Sequence, residues 1–489
     1  MQKRLRFLTD ENISLIKERA QYLLKKFGVT VHNKEVLALL AEHGASVDLV
    51  EERVYMNEMV VEQALKTVPS EFSLFDRSGN RSFTVGDSQS HFVPGSAAID
   101  VYDCVLNKHR KPLTSDYIKY IRVAEQLPSL SAQSTAFIPS DVVNEISDSY
   151  RLFLSLLYGN KPVVTGAFRA DSFSVMSDLQ LIIRGTGEEL RLKPMTIFSC
   201  CPSSPLKWSM DTSQNILDCS RASIPIELVA MPLCGFLAPV TLFDTLIQHT
   251  AENLSGVVIS QCANPGAPLL YGGSPAIFDM RFQTTPMGAI ETMMIICAYN
   301  EIGKSYKIPT QAYISLSDAK QLDMQAGIET GIGAILAVLS GIDSISGPGM
   351  IDFESSFSIE KLIVDNEICR MTDRLKRGIS RSENDDFPSI FLELISENHV
   401  LTAEHTQTHL RSEHLMPGVV INRKNRDKWD SDGQPTLINT ACKLAKELNS
   451  EFVGIPHNSE IQNELFKRME AESEKYGLTK LPVDQKGLR

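Results

Sequence analysis

The segment from Pro309 to Met350, PTQAYISLSDAKQLDMQAGIETGIGAILAVLSGIDSISGPGM, predicts the fold of the whole chain. Thr310–Ile314 and Ile342–Ser346 are short runs that contain the β-branched and aromatic residues favoured in strands. Between them, apolar side chains recur at helical spacing in Gln321–Leu339. A strand, a loop, a helix and a second strand form one unit of a parallel sheet, and the first loop is polar enough to serve a function.

The same alternation recurs from about residue 90 onward. The eight predicted strands are His91–Val93, Leu130–Ala136, Pro162–Ala167, Met195–Cys200, Ile226–Ala230, Val257–Gln261, Thr310–Ile314 and Ile342–Ser346. The helices predicted to follow them are Ser115–Glu125, Asp141–Tyr158, Ser172–Ile183, Ser213–Ser220, Leu242–Leu254, Ala289–Ile302, Gln321–Leu339 and Ile359–Leu375. Eight strands that are each followed by a helix predict an α/β fold, the (β/α)8 TIM barrel. An open doubly wound sheet is the alternative, but no GxGxxG motif follows an early strand, which disfavours it.

We divide the chain into three predicted domains. Residues 1–85 form a helical N-terminal cap, because amphipathic segments there end at Gly28 and Gly44. Residues 86–380 form the barrel, which is the catalytic domain. Residues 381–489 are more polar and are predicted to form a helical C-terminal extension.

The composition excludes several classes of protein. The net charge is −12, whereas proteins that bind nucleic acid usually carry a basic face, so we expect no nucleic-acid partner. The nine cysteines are scattered and include no CxxC pair, which is typical of reduced thiols in a cytoplasmic protein. The start MQKRLRFLTDEN is not followed by an apolar core, and no apolar segment is long enough to span a bilayer. We therefore expect neither a signal peptide nor a membrane partner.

Residues that follow the carboxyl ends of barrel strands usually form the active site. Here they are rich in aromatic, amide and small side chains and poor in histidine and paired carboxylates. That composition favours binding and orienting a substrate over acid–base hydrolysis, and aromatic rings suit a quaternary ammonium group. The loop ISGPG (345–349) is another candidate site, because late loops in barrels often hold phosphate. A tight turn that requires glycine explains this loop equally well.

Two groups of residues are candidates for a metal site, but neither matches a known pattern of metal ligands. Cys200, Cys234 and Cys262 fall near strand ends without the spacing of zinc ligands. His405 and His409 share a helical face in EHTQTH, which lacks the order HExxH of a metalloprotease. We predict no metal site.

Six segments that occur in a fixed order carry a resemblance to known proteins. They are GVTVHNKEVLALLAEHGASVD (28–48), MPLCGFLAPVTLFDTLIQHTAENLSG (231–256), QCANPGAPLLYGG (261–273), FDMRFQTTPMGAIE (278–291), SDAKQLDMQAGIET (317–330) and WDSDG (429–433). Together they resemble the trimethylamine methyltransferase family over nearly the whole chain.

The resemblance implies a barrel enzyme that moves a methyl group from a methylated amine to the Co(I) of a corrinoid (cobalamin) carried by a separate protein. The archaeal trimethylamine enzymes of the family contain pyrrolysine, and its position corresponds to the region Tyr313–Leu316. This chain contains only standard residues, so it is similar to the non-pyrrolysine branch, which includes glycine betaine methyltransferases. That branch acts on quaternary amines such as glycine betaine, carnitine or proline betaine. Their nitrogen is already cationic, so it can leave as a neutral amine.

The strand-end residues supply a candidate binding site for such a substrate. The aromatic candidates for a cage around the ammonium group are Tyr102, Phe236, Tyr271, Tyr313, Phe353 and Phe357. The polar candidates are Gln261, Asn264, Gln311 and Arg281 for a substrate carboxylate, with Ser315 beside them. Such a site needs only proximity and orientation, so we name no catalytic residue and expect no tightly bound cofactor.

The expected partners are a quaternary amine, a cognate corrinoid protein and a second copy of the chain. The last rests on Gly327 and Gly331, which leave one helix face open to close approach by a neighbouring helix of the same chain or by a second subunit. Two other functions are alternatives. A phosphate-binding barrel lyase would use the ISGPG loop, and a non-catalytic barrel would bind a betaine without transferring its methyl group.

Overall fold

A computed structural model describes residues 5–380, 387–454, 458–478 and 480–483, and a parallel β-barrel lies at its centre. The eight barrel strands are His91–Val93, Gln133–Ser134, Val163–Thr165, Thr196–Cys200, Ile226–Leu228, Leu269–Gly273, Thr310–Tyr313 and Ser344–Ser346. From the second strand to the eighth, each pairs in parallel with the next, and the eighth pairs with the first. A bridge between Phe92 and Leu130 joins the first strand to the start of the second and closes the ring. The predicted (β/α)8 barrel is confirmed.

A helix follows each barrel strand and packs around the outside of the ring. These helices are Thr114–Glu125, Ser147–Tyr158, Ser172–Arg184, Met210–Arg221, Leu242–Ala263, Ile290–Ser305, Met324–Ser340 and Ile359–Arg377. The seventh shows how the sequence sets their limits. The Asp323 carboxylate caps its first turn by accepting from the Ala326 N–H at 3.2 Å, and Gly341 ends it in the left-handed conformation, with φ of 76°.

The predicted sixth strand, Val257–Gln261, is wrong. These residues belong to the 22-residue helix Leu242–Ala263, and the sixth barrel strand is Leu269–Gly273. The run VVIS has strand propensity, but the helix that contains it packs tightly against the barrel. A Cβ added at Gly256 would lie 2.7 Å from the Leu228 side chain. Packing of the helix against the strands therefore overrides the local β-propensity.

The N-terminal region contains strands as well as helices. Its helices are Asp10–Lys26, Lys34–Glu42 and Glu58–Thr67, and its strands are Val29–Val31, Ser46–Asp48, Arg53–Tyr55, Phe72–Phe75 and Arg81–Val85. The first three strands form a small sheet that Lys207–Trp208, from the loop after the fourth barrel strand, joins in parallel. The cap expected to be helical is therefore a mixed α/β structure tied to the barrel by main-chain hydrogen bonds.

The loops at the carboxyl ends of the barrel strands also contain short strands. Asp100–Asp103, Lys108–Arg110, Met350–Ile351 and Ser356–Phe357 form one sheet, and Leu233–Cys234 pairs with Ala276–Ile277. The helices beyond the barrel are Phe387–Glu397, Glu404–Glu413, Arg426–Ser431, Leu437–Glu451 and Ser459–Glu474. The last two of these pack on the outer helices of the barrel. Within the described ranges, no helix is both long and apolar enough to cross a membrane.

The ISGPG loop (345–349) is closed by hydrogen bonds. The Gly347 N–H donates to the Val93 carbonyl oxygen at 3.2 Å, and the Gly349 N–H donates to the Asp365 carboxylate at 2.7 Å. These two amides already have acceptors, so they are not free to bind a phosphate group. The structure therefore supports the tight turn as the reason for glycine in this loop.

Gly347→Ala is expected to destabilise the fold by about 1–3 kcal/mol, because its Cβ would lie 2.1 Å from the Ile314 carbonyl oxygen. Gly327→Ala is the matched control. Gly327 lies on the outer helix Met324–Ser340, and a Cβ there meets no described atom within 4 Å. Alanine should stabilise that helix by up to about 1 kcal/mol. Urea unfolding measures the free energy of unfolding of both variants. A change of the same sign in the two variants would contradict the close packing of Gly347 against Ile314.

Candidate functional site

A cavity of about 400 Å³ opens at the carboxyl ends of the barrel strands. Each strand, or the loop that follows it, contributes at least one lining residue. The following residues, one for each strand in chain order, line the cavity: Ser96, Thr135, Gly166, Cys201, Met231, Ser274, Tyr313 and Glu354. Sites for small ligands in proteins span roughly 300–1,000 Å³, so this cavity suits a small molecule.

Glu227 lies beneath the cavity, in the middle of the fifth strand. Its side chain is fully buried, and Oε1 accepts from Ser199 Oγ at 2.6 Å and from the Tyr313 hydroxyl at 3.4 Å. Both partners line the cavity. Burial raises the pKa of Glu227 to about 7, against the opposing effect of the hydrogen bonds from Ser199 and Tyr313. The carboxyl can therefore change its ionisation near neutral pH when a positive charge approaches.

Glu354 supplies a second carboxyl group, on the loop after the eighth strand. Asp352, Phe353 and Glu354 have φ values of 53°, 56° and 66°, in the left-handed region that residues other than glycine rarely adopt. Lys320 braces this loop, with Nζ 3.3 Å from the Asp352 carboxylate and 3.5 Å from the centre of the Phe353 ring. Burial, and then the nearby Asp318 carboxylate, raise the pKa of Glu354 to about 8. Within the described residues, Glu354 Oε1 accepts no hydrogen bond.

The cavity wall beside the second and third strands contains a buried ion pair. Arg151, on the helix after the second strand, donates to Asp148 Oδ1 at 2.9 Å and to the Thr135 carbonyl oxygen at 3.0 Å. Its guanidinium carbon lies 5.2 Å from the centre of the Phe168 ring. The lining of the cavity therefore combines the Glu354 carboxyl group and Arg151 with the rings of Phe168 and Tyr313, and the Glu227 carboxyl group lies beneath it, bonded to Tyr313.

This arrangement favours binding of a cation over nucleophilic attack by the protein. Burial raises the pKa of the Cys201 thiol to about 12, so the thiol stays protonated near neutral pH and is a weak nucleophile. Of the described residues that line the cavity, none is a histidine or a lysine. Nor does the described part of the chain group three or more histidine, cysteine or acidic side chains for a metal ion. The carboxyl groups and the Tyr313 ring can instead stabilise a positively charged ligand.

Four predicted site residues lie in or near the cavity. Tyr313 lines it. Gln311 lies two residues earlier on the same strand and so on the same side, and its Oε1 accepts from the Gly273 N–H at 3.0 Å. Ser315 is buried two residues later, with φ of 68°. Phe353 lies on the braced loop after the eighth strand. The structure therefore brings together the predicted residues of the seventh and eighth strands.

Three aromatic candidates lie elsewhere. Tyr271 faces the helix layer, where its hydroxyl donates to Thr250 Oγ1 at 3.0 Å. Phe357 is fully buried and packs edge-to-face on Tyr120, with ring centres 5.3 Å apart. Tyr102 borders a separate pocket of about 200 Å³. Successive side chains of a strand alternate between the barrel interior and the helix layer, so a one-residue difference moves a side chain out of the site.

Two further candidates lie on the surface of loops. Phe236 is 62% exposed and stacks on Phe278, with ring centres 4.7 Å apart. Arg281 is exposed and pairs with the Asp279 carboxylate at 2.6 Å. Neither residue lines the cavity.

Gln261 and Asn264 lie at the end of the helix Leu242–Ala263, before the sixth strand rather than after it. Gln261 Nε2 donates to the Ala267 carbonyl oxygen at 2.9 Å, and Asn264 Nδ2 donates to the Ser220 carbonyl oxygen at 2.8 Å. Residues that precede a barrel strand lie at the amino-terminal end of the barrel, away from the cavity. The misplaced sixth strand is the reason for this error.

The sequence reasoning missed Glu227, Glu354 and Arg151. Glu227 carried a signal, because a glutamate inside an apolar run such as IPIELVA (224–230) is rarely buried without a special role. Glu354 lies one residue beyond the predicted Phe353. Arg151 belongs to a helix, so no rule about strand ends could have found it.

The closed barrel and its charged cavity at the strand ends place the protein among the TIM-barrel enzymes. The sequence model of the family described as Trimethylamine methyltransferase (MTTB) matches residues 2–476. The chain therefore belongs to this family, as the six segments indicated, and it is a corrinoid-dependent methyltransferase.

Relatives of similar length support this assignment. The chain is 25% identical to Trimethylamine methyltransferase MttB of Desulfitobacterium hafniense (strain DSM 10664 / DCB-2), over 96% of the chain and 95% of the relative. It is 28% identical to the protein of the same name from Methanosarcina thermophila, over 89% and 91%. It is 25% identical to Glycine betaine methyltransferase of Desulfitobacterium hafniense (strain Y51), over 86% and 88%.

A solved structure supports the fold alone. The Methanosarcina barkeri Monomethylamine Methyltransferase (MtmB) superposes with a TM-score of 0.53 at 15% sequence identity. The superposition covers 91% of this chain and 89% of that one.

Glu227 and Glu354 are expected to make the folded protein less stable as the pH rises. Folding raises their pKa values from an ordinary 4.5 to about 7 and about 8, so the folded chain retains protons that the unfolded chain has released. Their contribution to stability should therefore fall from about pH 4.5 to about pH 8. Glu354→Gln should remove part of this slope, whereas Glu62→Gln, which changes an exposed carboxyl, should not. Urea unfolding at about pH 5, 6.5 and 8 measures the slopes. Equal slopes in the wild type and Glu354→Gln would contradict the buried carboxyl group.

Proposed function

We propose that the enzyme transfers a methyl group from a quaternary amine, such as glycine betaine, carnitine or proline betaine, to the Co(I) of a cognate corrinoid protein. The observation that carries the proposal is the composition of the cavity. The Glu354 carboxyl group in its lining, the Glu227 carboxyl group beneath it and the Tyr313 ring suit a permanent cation, and its described lining residues include no imidazole or amine to act as a base. The names of the relatives, which include trimethylamine and glycine betaine methyltransferases, point to methylated amines as the substrate class.

The bond changes take place between the amine and the corrinoid, both of which are substrates. Co(I) donates an electron pair to the methyl carbon while the C–N bond breaks. The C–N electron pair remains on nitrogen, which leaves as a neutral tertiary amine, and the cobalt is left as methyl-Co(III). No proton transfer is required, because the quaternary nitrogen carries no proton and is cationic from the start. The protein contributes proximity and orientation.

The end of the seventh strand supports the quaternary substrate over a tertiary one. In this proposal Tyr313 and Ser315 occupy the region that corresponds to pyrrolysine in the archaeal members. Tyr313 lines the cavity with a ring that can contact a cation but cannot form a bond to an amine nitrogen. A substrate that needs no activation is therefore the better match.

The loop at 345–349 weakens the alternative of a phosphate-binding lyase. The Gly347 and Gly349 amides of this loop donate to acceptors within the protein. A phosphate group would have to replace those acceptors in order to bind there. The non-catalytic alternative, a barrel that only binds a betaine, differs from the proposal in a direct assay.

Tyr313→Ala is expected to lower kcat/KM for methyl transfer from a quaternary amine to free cob(I)alamin by about three- to thirtyfold, the value of a ring–cation contact. Tyr313→Phe keeps the ring and should retain most of the activity, because the hydroxyl lies 3.4 Å from Glu227 Oε1 in a long hydrogen bond. Loss of the Co(I) absorbance measures the rate with glycine betaine, carnitine, proline betaine and trimethylamine.

Phe236→Ala is the control, because Phe236 is an exposed aromatic residue outside the cavity and its loss should leave the rate unchanged. Betaine binding without consumption of Co(I) would support the non-catalytic alternative. A wild-type enzyme that consumed Co(I) with trimethylamine and none of the quaternary amines would contradict the proposed substrate class.

A further inference from the structure

The guanidinium group of Arg151 forms part of the cavity wall, although Arg151 belongs to the outer helix Ser147–Tyr158. It reaches the strand ends, where Nη1 donates to the carbonyl oxygen of Thr135, which also lines the cavity. The ring of Phe168 borders the same side. Arg151 is only 1% exposed, so a buried positive charge is built into this wall.

Part of the hydrogen-bonding capacity of Arg151 is not used by the protein. An arginine side chain has five N–H donors. Nε donates to the Ser147 carbonyl oxygen at 3.2 Å, Nη1 donates once to Thr135, and Nη2 donates once to Asp148. One N–H on Nη1 and one on Nη2 therefore have no acceptor among the described residues. A guanidinium with a donor left on each terminal nitrogen can bind the two oxygens of a carboxylate.

Asp148 holds the guanidinium in place without using these two donors. Its Oδ1 accepts from Arg151, while its Oδ2 accepts from the Phe168 main-chain N–H at 2.7 Å. The two charged side chains are 1% and 2% exposed. Burial of an ion pair often costs more in desolvation than the pair regains, so stability alone is a weak reason for this arrangement. A role in binding a ligand explains why a fixed arginine lies at this wall.

The carboxyl groups lie on other strands of the ring. Arg151 lies beside the ends of the second and third strands, whereas Glu227 is on the fifth and Glu354 follows the eighth. Tyr313, which contacts Glu227, is on the seventh strand, across the closed ring from the third. A small ligand in the cavity can therefore present a negative group to Arg151 and a positive group to Glu227, Glu354 and Tyr313.

We propose that Arg151 binds a carboxylate of the substrate, so that the preferred substrate is a zwitterion with both a quaternary ammonium group and a carboxylate. The inference rests on the proposed function and deepens it. It makes Arg151 a specificity-determining residue. The sequence indicated Gln261, Asn264, Gln311 or Arg281 for binding of the substrate carboxylate. Asp148 is then a positioning residue that orients the guanidinium.

Glycine betaine and tetramethylammonium test this inference, because both are methylated quaternary amines and only the first carries a carboxylate. With the full-length enzyme and free cob(I)alamin, the wild-type kcat/KM should be at least tenfold higher for glycine betaine. Arg151→Lys should lower this ratio at least fivefold, because lysine keeps the charge beside Asp148 but lacks the paired donors. Arg169→Lys is the matched control, since Arg169 is 45% exposed and pairs with Asp171 at the surface. It should leave the ratio unchanged.

Equal wild-type kcat/KM values for the two amines, or an unchanged ratio in Arg151→Lys, would overturn the role of Arg151 and leave the proposed function intact. If no quaternary amine supports transfer, the proposed function fails. Calorimetric binding of the same two ligands then decides the inference, which requires glycine betaine to bind at least tenfold more tightly than tetramethylammonium.

If Arg151→Lys does not fold, the test compares glycine betaine with its amide as substrates of the wild-type enzyme. If the wild-type kcat/KM is at least tenfold lower for the amide than for glycine betaine, the inference is supported. A smaller difference overturns it.

Discussion

The burial of the Glu227 carboxyl group inside the barrel is the constraint on which the site depends. An ionised carboxylate in such a place is unfavourable unless hydrogen bonds or a positive charge compensate for the lost water. Ser199 and Tyr313 supply hydrogen bonds to one oxygen, yet burial still raises the pKa to about 7. The remaining compensation can come from a cation above the carboxyl. The buried carboxyl group of Glu227 therefore favours a positive group in the part of the cavity above it.

The second carboxyl group depends on three loops that brace one another. Asp318, after the seventh strand, accepts from the main-chain N–H groups of Met287 and Gly288 at 2.9 Å each, which ties it to the loop after the sixth. The Asp352 N–H donates to the Ala319 carbonyl oxygen at 2.9 Å, which ties the loop after the eighth strand to the same place. Left-handed backbone at residues 352–354 persists only where surrounding contacts fix it. These contacts keep Glu354 in the cavity wall.

The sequence predicted the barrel well, because alternating strands and helices leave few other arrangements, and seven of the eight strands overlap their predictions. The error at Val257–Gln261 arose because β-branched residues in a helix buried against the barrel resemble a strand. The site was harder. A strand end identifies a neighbourhood, which located Tyr313 and Phe353, but not the face on which a side chain lies, as Tyr271 shows. Arg151 reaches the cavity from a helix, through a tertiary contact that no local pattern encodes.

The two carboxyl groups also bear on the rate of the proposed reaction. A quaternary ammonium loses its charge as the methyl group departs, so a site with two permanently ionised carboxylates would hold the substrate more tightly than the transition state and would slow the transfer. Groups whose pKa values burial raises to about 7 and about 8 lessen this effect, because they need not stay ionised once the positive charge is lost. Each can ionise when the cation binds and can take up a proton again once the neutral amine forms. The burial that makes Glu227 and Glu354 unfavourable in the free enzyme thus allows the cavity to bind a charge and then release its neutral product.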